Sequence, residues 1–439
     1  MRLKRIVRLV AQQTIGRLPP PAARLTGRLA KDGGTPVRDL RLRPWAAAHS
    51  GNPLPWFTSV GPAFRKIFLS GMEGLPQTLQ KKFAAKFATY CGCKHGLMLP
   101  HGTDALRFAL AAALDHDGLD YGGEVIVPNL SFIASATAAL DHRFGVALVD
   151  VDPGTLNIDP RRVEEAIIPG RTCAIMAVHQ FGQPADMTSL RAIADKHKLK
   201  LIEDAAQSHG AVWETGPVGS LGDAAGFSFQ SAKNLTCGEG GMLTTNDTEL
   251  FERVYSMHNA GRAPDGGYRW EHPYLGWNCR PTEYQAALLL HRFKTFAAQQ
   301  ERRAANFARL RKLLDDIRCV RPQEIHPGVR KHGMYMFVLR YQPEYCGGLT
   351  IDEFLQAAGA EGAPIYRCYT ATLSAQGVMK TLLKKRPQYV RVLPTPAADQ
   401  AAADTLYISG NVFLGSRADM EDIAAALRKI EKAESRSQK

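Results

Sequence analysis

The sequence predicts an α/β protein with a large, mostly parallel β-sheet domain followed by a smaller C-terminal α/β domain. Two observations lead there. Short aliphatic or β-branched runs alternate with helical stretches from about residue 80 to 202, and apolar strands separated by helices make a parallel sheet covered on both faces. The chain then changes character: 282–316 reads as one or two long helices, and 333–430 mixes strands and helices. A length of 439 residues suits two packed domains.

Residues 1–31 read as an appendage. They hold Arg2, Lys4, Arg5, Arg8, Arg17, Arg24, Arg28 and Lys31 and no acid. The net charge of +13 is therefore concentrated in a tail, and the rest carries only +5. A nucleic-acid-binding body is not implied. Leu3, Ile6, Val7 and Val10 fall on one side of a helix. That pattern reads as a solvated tail or as a weak contact with an anionic membrane surface. Pro19-Pro20-Pro21 ends any helix there. Residues 32–62, rich in Gly, Pro and Trp, look like an extended lead-in and are grouped with the large domain (32–290); 291–439 form the linking helix and small domain.

The expected strands are Leu97–Leu99, Val125–Val127, Val146–Val149, Ala174–Val178 and Leu199–Ile202, then Ala225–Phe229 and Met242–Thr244. Helices are expected near 103–114, 132–141, 160–167 and 187–197. The eight cysteines are scattered, with no Cys-x-x-Cys, so no zinc site is predicted. Such cysteines read as reduced thiols of a cytoplasmic protein. No run approaches the ~20 apolar residues of a membrane span.

Three segments carry chemistry. His101-Gly102-Thr103-Asp104-Ala105 follows a strand and opens an apolar helix, so it reads as a phosphate site or as an ordinary helix cap. Asp204, in Leu201-Ile202-Glu203-Asp204-Ala205-Ala206-Gln207, lies at the carboxyl end of a buried strand, where open α/β sheets bind ligands. It reads as the partner of a protonated ring nitrogen or as a helix cap. Lys233 lies in Ser228-Phe229-Gln230-Ser231-Ala232-Lys233-Asn234, ahead of Gly238-Glu239-Gly240-Gly241. A free lysine is too protonated to attack a carbonyl, and burial lowers its pKa, so Lys233 is a candidate Schiff-base amine.

In order and spacing, residues 95–290 resemble the DegT/StrS family of pyridoxal-phosphate-dependent sugar and cyclitol aminotransferases, which have the type I aspartate aminotransferase fold. The motifs are Gly102-Thr103-Asp104-Ala105-Leu106, Glu124–Pro128 with Ser131-Phe132, and Val178-His179-Gln180-Phe181-Gly182. Glu203–Gln207, the Lys233 loop with Gly238–Gly241, and Gly276-Trp277-Asn278-Cys279-Arg280 complete the set, and Asn411–Gly415 is also similar.

The resemblance implies a role for each position. Lys233 holds pyridoxal 5'-phosphate as a Schiff base and then moves the proton. Asp204 pairs with the pyridinium nitrogen, and Gln207 approaches the ring's phenolic oxygen. Phe132 covers one ring face, with plain core packing as its other reading. Gly102, Thr103 and Ser228 bind the phosphate. Asn278 reaches the phosphate of the neighbouring subunit, which implies a homodimer with shared sites. Arg280 contacts an acidic substrate group or forms a structural ion pair. It is followed by Pro281, where relatives have Met, so a different start to the next helix is expected.

The implied reaction moves an amino group from glutamate or glutamine to a ketone of a keto-cyclitol or a nucleotide-linked keto-sugar. Gly33-Gly34-Thr35-Pro36-Val37-Arg38 with Pro44-Trp45, and Leu414-Gly415, resemble the branch acting on inososes and aminohydroxybenzoate precursors. A sugar dehydratase or lyase, or a non-catalytic regulator that kept the fold, are the alternatives. Retention of the lysine favours transamination, because dehydrating members of the family replace it with His.

Overall fold

The computed structural model describes residues 29–40, 60–71, 77–263 and 271–437. The basic segment 1–28, with its amphipathic stretch and expected membrane-surface contact, lies outside the described residues, as does Pro44-Trp45. Among the described residues, no helix is long and apolar enough to cross a membrane.

The strands are β1 (His95–Leu99), β2 (Glu124–Pro128), β3 (Gly145–Val149), β4 (Thr172–Val178), β5 (Lys200–Asp204), β6 (Val212–Trp213), β7 (Gly216–Pro217), β8 (Ala224–Ser228) and β9 (Gly241–Thr245). Towards the C-terminus follow β10 (Val320–Pro322), β11 (Val329–Lys331), β12 (Met336–Tyr341), β13 (Tyr366–Arg367), β14 (Val390–Val392) and β15 (Thr405–Ser409). Eight of them form one sheet in the order β1-β9-β8-β5-β4-β2-β3-β14. All are parallel except β9, which opposes both its neighbours. The reason is the connection: β8 returns directly into β9 through residues 229–240, with no crossover helix, and a direct return makes an antiparallel pair.

Every residue of β2 and β3 is buried, and their alternation divides the core. Val125 and Val127 join Phe108 and Ala138 on one face, whereas Ile126 joins Leu190 and Val163 on the other. Helices Gly102–Ala113 and Ala134–Asp141 cover the first face, and Pro160–Ala166 and Met187–His197 cover the second.

The smaller sheet, β10-β12-β15-β13, is antiparallel. Helices Ile351–Ala360 and Arg417–Ser437 bury Phe354, Ala357, Ile423 and Leu427 in the core around it. The expected long helical region is a single helix, Glu283–Leu313, capped by Thr282 and Gln285, so Pro281 falls just before it and does not interrupt it. Its first half contributes Ala286, Leu289 and Phe296 to a core beneath the large sheet, and its second half contributes Phe307 and Leu310 to the small-domain core.

Three features of the structure cross the expected domain boundaries. The boundary at 290 falls inside that continuous helix. β14, from the C-terminal part of the chain, joins the edge of the large sheet, where Arg391 Nε donates to buried Glu124 at 3.1 Å. The start of the lead-in packs on the small domain: Leu29 is buried in its core, and the Glu361 carboxylate accepts from the N–H of Ala30 (2.8 Å) and Val37 (3.0 Å) and from Lys429 Nζ (2.9 Å). Arg38 donates to Asp419 (2.6 Å) and Asp422 (3.0 Å). Residues 29–31, expected to belong to the tail, are therefore part of the fold.

Candidate active site

Because β9 opposes both β1 and β8, those two run the same way as β5, and the segments leaving all three emerge at one edge of the sheet. His101 is extended, and the chain turns into helix Gly102–Ala113, whose first N–H groups have no carbonyl one turn earlier. Gly102 is packed against the end of β8. A Cβ at that position would lie 2.9 Å from Ser228 Cβ and 3.2 Å from the Phe227 carbonyl oxygen. A backbone cradle of free N–H groups beside a hydroxyl side chain is chemistry that fits an anion.

Asp204 is the last residue of β5 and is buried. Its Oδ2 accepts from Ser135 Oγ at 2.6 Å and its Oδ1 from the Ala206 N–H at 3.2 Å. Glu203, one residue earlier, points to the opposite face of the strand. There it accepts from the N–H groups of Gly219, Leu221 and Gly222 and contacts His179 Nε2 at 3.0 Å. Glu203 is committed to holding a loop, which leaves Asp204 as the acid of this pair that faces the site.

Lys233 sits in a turn closed by its N–H to the Gln230 carbonyl at 2.9 Å. The loop returns through Gly238, whose φ of +93° is a conformation side-chain-bearing residues rarely adopt. The lysine stem is partly exposed, while its amine is deeply buried. Burial pulls the amine's pKa from 10.5 down to about 8, against the opposing attraction of Asp204. Nζ lies 4.5 Å from the centre of the Tyr335 ring, a cation–π contact. Beneath the loop, buried His209 is held neutral, its pKa lowered to about 3 by burial and then by the charge of Lys233.

Gln207 is fixed at both ends of its amide. Oε1 accepts from the Phe181 N–H at 2.8 Å, and Nε2 donates to Tyr369 Oη at 3.0 Å. Burial pushes the Tyr335 and Tyr369 phenols up, so both stay neutral. Both tyrosines come from the C-terminal part of the chain. Asn234, next to Lys233, secures that approach by donating to the carbonyls of Gly333 and Met334 at 2.9 Å each.

The remaining expected residues lie as follows. Thr103 occupies the second position of the cradle helix and is partly exposed. Phe132 is 60% exposed, which excludes its core-packing reading. Asn278 is exposed and pairs through its backbone with Asn259. No hydrogen bond among the described residues joins Asn278 to the Lys233 cluster. Arg280 forms no ion pair among the described residues and donates to Asn259 Oδ1 at 2.9 Å.

Sequence reasoning missed Ser135, His209, Tyr335 and Tyr369. Ser135 and His209 adjoin recognised motifs, so their position was a signal; the tyrosines, more than 100 residues beyond Lys233, gave none.

Comparison with known proteins is consistent with this arrangement. Residues 75–428 match the model of the DegT/DnrJ/EryC1/StrS aminotransferase family. The chain is similar to the L-glutamine:2-deoxy-scyllo-inosose aminotransferase of Streptomyces paromomycinus, 36% identical over 436 residues that cover 92% of this chain and 98% of the relative. Among solved structures it is similar to 3-amino-5-hydroxybenzoic acid synthase, with a TM-score of 0.73, 29% identity and coverage of 86% and 96% of the two chains. It also resembles DesI, solved in the presence of its TDP-sugar product, with a TM-score of 0.77, 25% identity and coverage of 93% and 97%. Matched at this identity and over this span, the chain belongs to the DegT/DnrJ/EryC1/StrS aminotransferase family.

Proposed function

We propose that this chain transfers the amino group of L-glutamine to the ring ketone of an inosose-like cyclitol. It is a pyridoxal-phosphate-dependent aminotransferase of the type I fold. The names of its relatives support the donor and the acceptor class. The observation that carries the reading is a buried amine of lowered pKa, close enough to a buried carboxylate to feel its charge, in a site that also contains a backbone anion cradle. Those three features fit the aldehyde, ring nitrogen and phosphate of the cofactor.

When bound, pyridoxal phosphate supplies the carbonyl that takes up the amino group and the conjugated ring that spreads the charge left by proton removal. The N–H groups of Gly102 and Thr103, with the Ser228 hydroxyl, hold the phosphate. Asp204 faces the ring nitrogen as a charge partner. Gln207, gripped by Phe181 and Tyr369, presents its amide toward the phenolic oxygen, and Phe132 offers an exposed aromatic face to the ring. Lys233 would hold the cofactor through its amine, and with a pKa near 8 that amine is suited to take up and release protons close to neutral pH.

Asn278 completes the phosphate cup of a second subunit in a homodimer. Its exposure, beside exposed Tyr274 and Leu275, supports that placement. A cytoplasmic site of action is supported by eight cysteines that are all free thiols.

A half-reaction screen tests the proposal. Glutamine should bleach the visible absorbance of the lysine-bound cofactor, and 2-deoxy-scyllo-inosose should restore it faster than a nucleotide-linked keto-sugar. The reverse preference would reassign the acceptor. Borohydride should fix the cofactor to Lys233, and an adduct mapped to another lysine would overturn the site.

A further inference from the structure

We propose that Ser131 and Ser135 are a positioning pair that sets the orientation of the Asp204 carboxylate toward the cofactor ring. The proposal rests on the reading of Asp204 as the ring-nitrogen partner and adds residues that reading does not include. Ser131 Oγ and Ser135 Oγ are 2.7 Å apart, and Ser135 Oγ donates to Asp204 Oδ2 at 2.6 Å. All three side chains are buried.

Proton counting fixes the direction of this chain. A hydroxyl has one proton to give. Ser135 donates its proton to the carboxylate, so Ser131 donates to Ser135, and both bonds run toward Asp204.

The placement argues for a specific task. A serine inside a helix commonly donates back to the carbonyl one turn earlier. Ser135, second residue of helix Ala134–Asp141, instead directs its proton across to the end of β5. Asp204 is the last residue of that strand, so no following strand residue restrains its carboxylate. Its other restraint, the Ala206 N–H at 3.2 Å, is long for a bond to a carboxylate. The short Ser135 bond is therefore the stronger determinant of how the carboxylate is turned. Each carboxylate oxygen accepts about two hydrogen bonds, so an acceptor position remains for a ring N–H. Ser131 also immediately precedes Phe132, so the pair couples the residue proposed to cover the ring face to the one proposed to meet the ring nitrogen.

The test reads the ring nitrogen directly. Variants are loaded with pyridoxal phosphate carrying 15N in the ring, and the nitrogen chemical shift and cofactor dissociation constant are measured. Ser135→Ala should move the shift toward the unprotonated value and raise the dissociation constant about tenfold, the loss expected for one hydrogen bond to a charged group. Ser131→Ala should act in the same direction by less, and Ser135→Thr should restore both readings. Ser135→Cys keeps the volume but donates weakly, so it gives the same reading without a cavity. An unchanged nitrogen shift in Ser135→Cys and Ser135→Ala would overturn the proposal, even if thermal stability falls. Asp204→Asn separates the two levels: no shift there removes the ring-partner reading itself, whereas a shift there but not in the serine variants removes only the positioning pair.

Discussion

Replacing Lys233 by Met should make the cofactor-free protein more stable at neutral pH, because the native fold holds this amine against its preference for water. The amine's pKa is 10.5 in an open chain and about 8 in the fold. At ~1.36 kcal/mol per unit, this difference destabilises the folded state by ~3 kcal/mol at pH 7. Met fills a similar volume without charge. It forfeits the contact with the Tyr335 ring, worth about 1 kcal/mol. The net gain expected is about 2 kcal/mol in urea unfolding of the apoprotein at pH 7.

The pH dependence has a definite sign. The folded-state value lies below the unfolded one, so the unfolded chain binds more protons between pH 8 and 10.5. The destabilisation is complete below about pH 8 and fades as pH rises to 10.5. Wild type should therefore approach the variant in stability, and by pH 10 the lysine term should fall below about 1 kcal/mol. A variant no more stable than wild type at pH 7, with the same difference at pH 10, would refute the idea that the amine is held desolvated.

Further outcomes follow from the geometry. Gly102→Ala puts a methyl group 2.9 Å from Ser228 Cβ, so cofactor affinity measured by absorbance titration should fall at least about tenfold while the circular dichroism spectrum is retained. Tyr369→Phe removes the acceptor for Gln207 Nε2, and the cofactor absorbance maximum should shift without loss of thermal stability. Deleting residues 1–28 should leave the melting temperature unchanged. Deleting 1–39 removes Leu29 from the small-domain core and the buried Arg38 guanidinium that donates to Asp419 and Asp422, and should lower it by several degrees. Mixing Lys233→Ala with Asn278→Ala subunits should recover activity after subunit exchange, because one site per mixed dimer then has both residues; no recovery despite exchange would remove the shared site.

The central strands were legible because β2 to β5 are nearly continuous apolar runs between helices whose periodicity is clean. β14 was not, because three residues containing Arg391 carry no strand signal; its place depends on buried Glu124, over 260 residues away. The contacts of the lead-in were not legible for a similar reason, since its partners Glu361, Asp419 and Lys429 lie at the far end of the sequence. In the candidate site, motif order pointed to Asp204 and Lys233, and strand alternation explains why Glu203, adjacent and of the same chemistry, is turned to the opposite face and holds a loop. Tyr335 and Tyr369 could not be read, because nothing in a linear sequence shows which tyrosines from the C-terminal part of the chain fold back against Lys233 and Gln207.

The helix Glu283–Leu313 has a practical consequence. Its 31 residues make a rod of ~46 Å with one half in each core. A gene cut away from its midpoint would leave one fragment with an apolar stump that the other fragment's core was built to bury. The two lobes are therefore not exchangeable cassettes, and grafting a small domain from a relative to alter acceptor choice should succeed only if the rod is transplanted with it.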